Sequence, residues 1–199
     1  MDALHHTDRV LIKADLYRLL ANCFDFPASE KLGTISELSQ ALCEAGYPDS
    51  EIQNLIATLN SSMVESEILH DYSRIFIKGG VPLSESHTLK KFNSISDVNG
   101  FYAAFGFSPK SGENPDSIMH ELEFLALLCL KISIAPGLQE KEITGKAYED
   151  FLTDHAAEFA LALADKIREG DAGRYFITVA NLLTAFIKAE TEIIKSVNL

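Results

Sequence analysis

The chain has 199 residues and a formal net charge of -12 at pH 7, a length that suits one domain able to bury a core without disulfides or metals. With 47% hydrophobic and 23% charged residues it has the balance of a globular protein, and no segment approaches the roughly 18 uninterrupted apolar residues of a membrane span. The acidic excess, with no Lys/Arg stripe to offset it, argues against nucleic acid as a partner. Cys23, Cys43 and Cys129 are odd in number, widely spaced and set in apolar helical contexts, which suits reduced core thiols. The start, Met-Asp-Ala-Leu-His-His-Thr-Asp-Arg, lacks the basic run, apolar stretch and cleavage site of a secretory signal, so a cytoplasmic location is expected.

In chain order, Thr7 before Val10, Leu11, Ala14, Tyr17, Ala21 and Phe24 predicts an amphipathic first helix closed by Phe26-Pro27. Ser29 is the expected cap of a helix carrying Leu32, Ile35, Leu38 and Leu42 and stopped at Gly46; Pro48-Asp49 opens another with Ile52, Leu55, Ile56 and Leu59. Ile68, Leu69, Tyr72, Ile75 and Phe76 repeat the spacing until Lys78-Gly79-Gly80-Val81-Pro82 breaks it, leaving an irregular loop to about Ser86. A weaker helix around Ser96 to Phe105 ends at Gly106, and Ser108 to Gly112 forms a second loop.

The stretch from Glu113 to Lys131 predicts the central element of the fold. Asn114 is the expected cap, Pro115 the first helical residue, and Asp116 a complement to the helix dipole. From Phe124 to Leu130 no residue is charged or strongly polar, so other helices should surround this part. Pro136-Gly137 ends it. Tyr148, Phe151, Leu152, His155, Phe159 and Leu163 then share one stripe of a long helix, and Gly170 to Gly173 separates it from a last helix beginning near Tyr175. The expectation is an all-α fold: a single globular domain, residues 1–199, of about eight or nine helices around a central buried helix.

Chemical motifs are sparse. Glu67-Ile-Leu-His70 has the spacing of a di-iron helix but lacks a second copy, and Glu121 has no His three residues on. His70-Asp71 is a dipeptide of metal-dependent phosphohydrolases, without the companion ligands. His120-Glu121 has Phe124 where a zinc helix needs its second His, and Gly145-Lys146 lacks the rest of a phosphate loop. None of the Cys sits with an activating His, and His155 reads as a hydrogen-bonded core or interface residue. What remains are the two loops, 78–86 and 108–116, which bring Glu85, Glu113 and Asp116 next to aromatic residues. An acidic rim over an apolar floor would suit a peptide with basic and hydrophobic parts.

These loops also carry a family resemblance. Asp71-Tyr72-Ser-Arg-Ile75-Phe76-Ile-Lys-Gly79-Gly80-Val-Pro82-Leu-Ser-Glu85-Ser86 is similar to the Tyr-x-x-Leu-Phe-x-Gly-Pro segment of the TorD/DmsD/NarJ chaperones, with its following Pro and Glu-Ser. Glu113-Asn-Pro115-Asp116-Ser117-Ile-Met-His-Glu121-Leu122-Glu123-Phe124-Leu125 resembles their Glu-x-Pro-Asp-His-x-x-x-Glu-Leu-x-Phe motif. Ser117 stands where that motif has its second-loop His, Gly80 replaces a Pro, and the chain has no Trp.

The resemblance implies a cytoplasmic, non-enzymatic chaperone without a cofactor of its own. Its implied partners are a molybdenum-containing oxidoreductase subunit and that subunit's twin-arginine signal peptide, bound by Tyr72, Phe76, Pro82, Leu83, Glu85, Glu113, Pro115 and Asp116. Nucleic acid and membrane insertion have no part in it, guanine nucleotide has no motif behind it, and monomer and homodimer both fit the sequence. The readings from other classes are a helical metal-dependent phosphohydrolase using His70, Asp71 and His120, and a non-catalytic helical scaffold.

Overall fold

A computed structural model describes residues 2–91, 93–110 and 112–197. The elements are α1 (Asp2–Phe24), α2 (Ser29–Ala45), α3 (Ser50–Ser61), α4 (Glu65–Tyr72), α5 (Glu85–Leu89), α6 (Ser94–Phe105), α7 (Ile118–Ile134), α8 (Leu138–Phe151), α9 (Ala157–Glu169) and α10 (Arg174–Val197). A π-helical turn, Ser73–Lys78, continues α4, and another, Leu152–Ala156, fuses α8 to α9, so the described residues form nine continuous helical runs. The fold is all-α, as expected, and no described helix is long and apolar enough to cross a membrane.

The local chemistry explains the punctuation. Asp49 accepts the free amides of Glu51 (2.8 Å) and Ile52 (3.1 Å) and starts α3, turning Ile52, Ile56 and Leu59 inward. Gly46, at φ 76°, sends its amide back to Leu42 O and ends α2. Two expected caps fall elsewhere. Thr7 lies inside α1, and Ser29 lies in the first turn of α2, where its hydroxyl donates to Glu65 Oε1 at 2.6 Å.

The central helix is also displaced. α7 begins at Ile118, with Ser117 as its N-cap, so Asn114, Pro115 and Asp116 belong to the preceding turn. The sequence favoured Pro115 because its ring suits a first helical position; here Asp116 is drawn instead into contacts with α5, described below. α7 packs most extensively on α1 and also meets α8 and the second π-helical turn. Leu122, Phe124, Leu125 and Leu128 are fully buried, each such side chain contributing about 1.5–3 kcal/mol. The expected full enclosure is not reached: Glu123 and Leu130 are exposed and Leu127 is half-buried, so one stripe of the helix faces solvent.

A polar thread pins the layers around α7. Tyr17 on α1 and Tyr148 on α8 share a hydrogen bond of 2.8 Å, Tyr148 donates to Glu190 on α10 at 2.7 Å, and Lys13 pairs with the same carboxylate at 2.5 Å. A single polar chain thus fixes three helices around α7 without leaving these groups unsatisfied. The cysteines are free, and burial pushes the Cys23 and Cys129 thiols up to about 12, so both are poor nucleophiles.

Two glycines of the fold separate conformational from steric cost. A Cβ at Gly79 would lie 2.6 Å from Arg74 O and 2.7 Å from Ile75 O, the carbonyls of the first π-helical turn, whereas one at Gly33 on α2 would meet nothing within 4 Å. Gly79→Ala should therefore destabilise the protein by about 1–3 kcal/mol, and Gly33→Ala should stabilise it by about 0.5–1 kcal/mol. Urea melts of the two variants check both the signs and the order.

Candidate functional site

The two loops singled out by sequence meet through backbone pairing. Ser84 and Ser117 form an antiparallel bridge; the Glu85 amide donates to Asp116 O at 2.8 Å and the Ile118 amide to Leu83 O at 2.9 Å. α5 lacks a side-chain cap of its own at Ser84. Asp116 supplies one from the other loop, its Oδ2 accepting the Ser86 amide at 2.8 Å and the Ser94 hydroxyl at 3.5 Å. Tyr102 donates to Pro115 O at 3.0 Å, and Thr88 to Pro82 O at 3.1 Å.

This pairing corrects the expected acidic rim. Glu85 and Asp116 are fully buried, and of the three carboxylates only Glu113 is exposed. Glu85 Oε2 lies 3.1 Å from His155 Nδ1 across the junction with α9, which makes His155 the buried, hydrogen-bonded residue its stripe suggested. Glu113 Oε2 lies 2.8 Å from His120 Nε2. Ser117 caps α7, and its hydroxyl lies 2.8 Å from His120 Nδ1. The aromatic residues go elsewhere too: Tyr72 and Phe76 pack against Phe24, Phe26 and Phe176, while Pro82, Leu83 and Pro115 are half-buried along the loop junction.

An open cleft of about 1060 Å³ lies next to this junction, between α6 and the second π-helical turn. Gly100, Phe101, Ala104 and Phe105 give it an apolar face; Asp97, Asp154, Lys91 and His155 give it charge and polarity. None of the eight residues expected to bind peptide is among those lining it. Phe101 is held edge-on against Phe151 (5.3 Å between centroids) and His155 (5.8 Å). The π-helical turn widens the helix at the point where Asp154 and His155 reach the cleft, a distortion that recurs at functional sites.

The cleft wall is backed by carboxylates. His155 and Ser94 line the cleft, and each contacts a buried carboxylate behind it, Glu85 and Asp116 respectively. Glu121 on α7 completes the group: it is fully buried, and neither of its oxygens has a hydrogen-bond partner. Desolvation, and then the charges of Glu85 and Asp116, hold its carboxyl well above the usual 4.5, with Lys91 pulling the other way. Burial in this dry, anionic place thus favours the proton on Glu121.

Sequence reading missed the cleft because its halves lie some fifty residues apart. Its legible signal was the small-aromatic alternation Gly100-Phe101 and Ala104-Phe105, which repeats at helical spacing on α6. The hydrolase candidates are not brought together. His70 and Asp71 border a depression with Gly173 and Tyr175, His120 borders another with Asn22 and Lys31, and Asp71 pairs with Arg74 at 2.6 Å. Among the described residues no group of three or more His, Cys, Asp or Glu is placed to hold a metal ion.

Fold and site define an all-helical protein with an open aromatic cleft flanked by carboxylates. The chain belongs to the nitrate reductase delta subunit family, which it matches over residues 36–165. That span runs from α2 through α9 and so contains the loop junction and the cleft. Membership supports a general chaperone role, in agreement with the resemblance carried by the two loop motifs. No curated protein matches the chain.

Two measurements probe the buried carboxylates. Asp116→Ala removes the cap of α5 and leaves the Ser86 amide unpaired, so it should lower stability by about 1–3 kcal/mol in urea melts. Glu121 favours its proton more in the folded than in the unfolded chain, so its stabilising contribution is present below its usual value of 4.5 and is lost as pH rises. Glu121→Gln mimics the protonated form at every pH. The variant and parent should therefore be equally stable in acid, and the variant should become the more stable as pH rises to neutrality.

Proposed function

We propose that this protein is a cytoplasmic chaperone for a molybdenum-containing oxidoreductase subunit. It binds the subunit's twin-arginine signal peptide, its apoprotein body or both, and assists cofactor insertion, maturation and export. Its work is binding, with no bond chemistry and no cofactor of its own. The observation that carries this reading is the cleft between α6 and the second π-helical turn, where an aromatic face meets Asp97 and Asp154. A signal peptide that joins arginines to an apolar stretch offers a counterpart to each side, and family membership supports the chaperone class. Asp116 holds the cleft wall behind this surface by capping α5, and Glu85 does so through His155.

Titration calorimetry with a synthetic peptide containing paired arginines and the following apolar segment tests the reading. Asp97→Asn and Asp154→Asn should each weaken binding roughly threefold to tenfold, consistent with charge pairs at a solvated wall. Phe101→Ala should weaken it further by removing apolar contact, while Glu37→Gln, on the exposed face of α2, should change nothing. Added salt should reduce affinity without abolishing it. A parent protein that does not bind the peptide, or cleft variants that all bind like the parent, would overturn the proposal.

A further inference from the structure

The cleft contains a cation that the chain itself supplies. Lys91, in the short connection between α5 and α6, lines the cleft and sends its ammonium to two carboxylates, Glu158 Oε2 at 2.7 Å and Glu85 Oε1 at 3.9 Å. The two anions differ in kind. Glu158 is on the surface of α9, with 64% of its side chain exposed, whereas Glu85 is fully buried and its Oε1 has no hydrogen-bond partner. A carboxylate oxygen taken out of water without a donor is costly, and an ammonium 3.9 Å away compensates it only in part. Lys91 reaches the place from the cleft side and keeps 41% of its side chain exposed, so it can swing out without unfolding anything.

On the reading of the cleft as the peptide site, we infer that Lys91 is a built-in stand-in for the peptide's cation. It fills the position between Glu158 and Glu85 until an arginine of the client displaces it. The geometry favours a guanidinium as the displacing group. A compact ammonium serves Glu158 at hydrogen-bond distance and leaves Glu85 Oε1 beyond it. A planar fork of donors can address two carboxylates at once. Lys91 thereby sets a threshold: a single weakly held cation does not gain enough to evict it, and a guanidinium does. His155, on the other oxygen of Glu85, stays in place and holds that carboxylate in position during the exchange.

Two substitutions of opposite sign test the inference with the same calorimetry and the same paired-arginine peptide. Lys91→Met removes the internal competitor while keeping a flexible stem, and should tighten binding roughly threefold to tenfold. Lys91→Arg supplies the favoured group from within and should weaken binding by a similar factor, with thermal melts showing that this variant stays folded. A paired-lysine version of the peptide should bind the parent more weakly than the paired-arginine version, and the difference should shrink in Lys91→Met. If both variants bind like the parent, or if Lys91→Met binds more weakly while its melt is unchanged, Lys91 is only part of the wall and the inference fails. In that event Asp97→Asn still reports on the cleft, so the peptide-binding reading stands or falls separately.

Discussion

A helix that is apolar over most of its circumference exists in water only if other helices cover it, and α7 imposes that condition on the whole chain. Phe124, Leu125, Ala126, Leu128 and Cys129 are buried to within 2% exposure, which requires neighbours on every side except the stripe of Glu123, Leu127 and Leu130. α1 supplies the largest contact, α8 and the second π-helical turn close another side, and the Tyr17–Tyr148–Glu190 thread locks α1, α8 and α10 in register around it. The remaining helices are attached to this shell, and the cleft opens where α6 leans over the α8–α9 junction.

The same constraint shapes the electrostatics. Burying α7 also buries Glu121 in its first turn, beside Glu85 and Asp116, which the loop junction has already taken out of water. Three carboxylates in one dry region cannot all stay ionised without compensation. The chain answers this by favouring the proton on Glu121 and by giving each of the others donors: a backbone amide and a hydroxyl to Asp116, and His155 with Lys91 to Glu85. Lys91 and His155 belong at once to this buried network and to the cleft surface. The cleft is therefore electrostatically coupled to the core, and a ligand cation that replaces Lys91 would act on the same carboxylates.

Much of the secondary structure was written in the chain, because apolar spacing, Asp49 and the glycines at 46 and 106 act locally. The two loops stood out as well, through their motif residues, and they do meet. Their geometry was not legible. Acidic residues in loops suggest exposure, since charge prefers water, and nothing in the sequence near Glu85 or Asp116 shows that each finds its partners on a different element. The start of α7 misled for a related reason: Asn114-Pro115-Asp116 is a good local start signal, and it lost to the tertiary demand for Asp116 as the cap of α5.

The sequence by itself determined that this chain is all-helical and that the stretch from Glu113 to Lys131 carries its central buried helix; helix propensity, capping and amphipathic spacing need only neighbours a turn away. Tertiary structure alone decided which carboxylates face water. It buried Glu85, Asp116 and Glu121, left Asp97 and Asp154 on the walls of a cleft built from α6 and a π-helical turn, and set Lys91 between an exposed and a buried anion. Exposure and charge pairing depend on what distant segments bring to the same place, and that information resides in the packing of the helices.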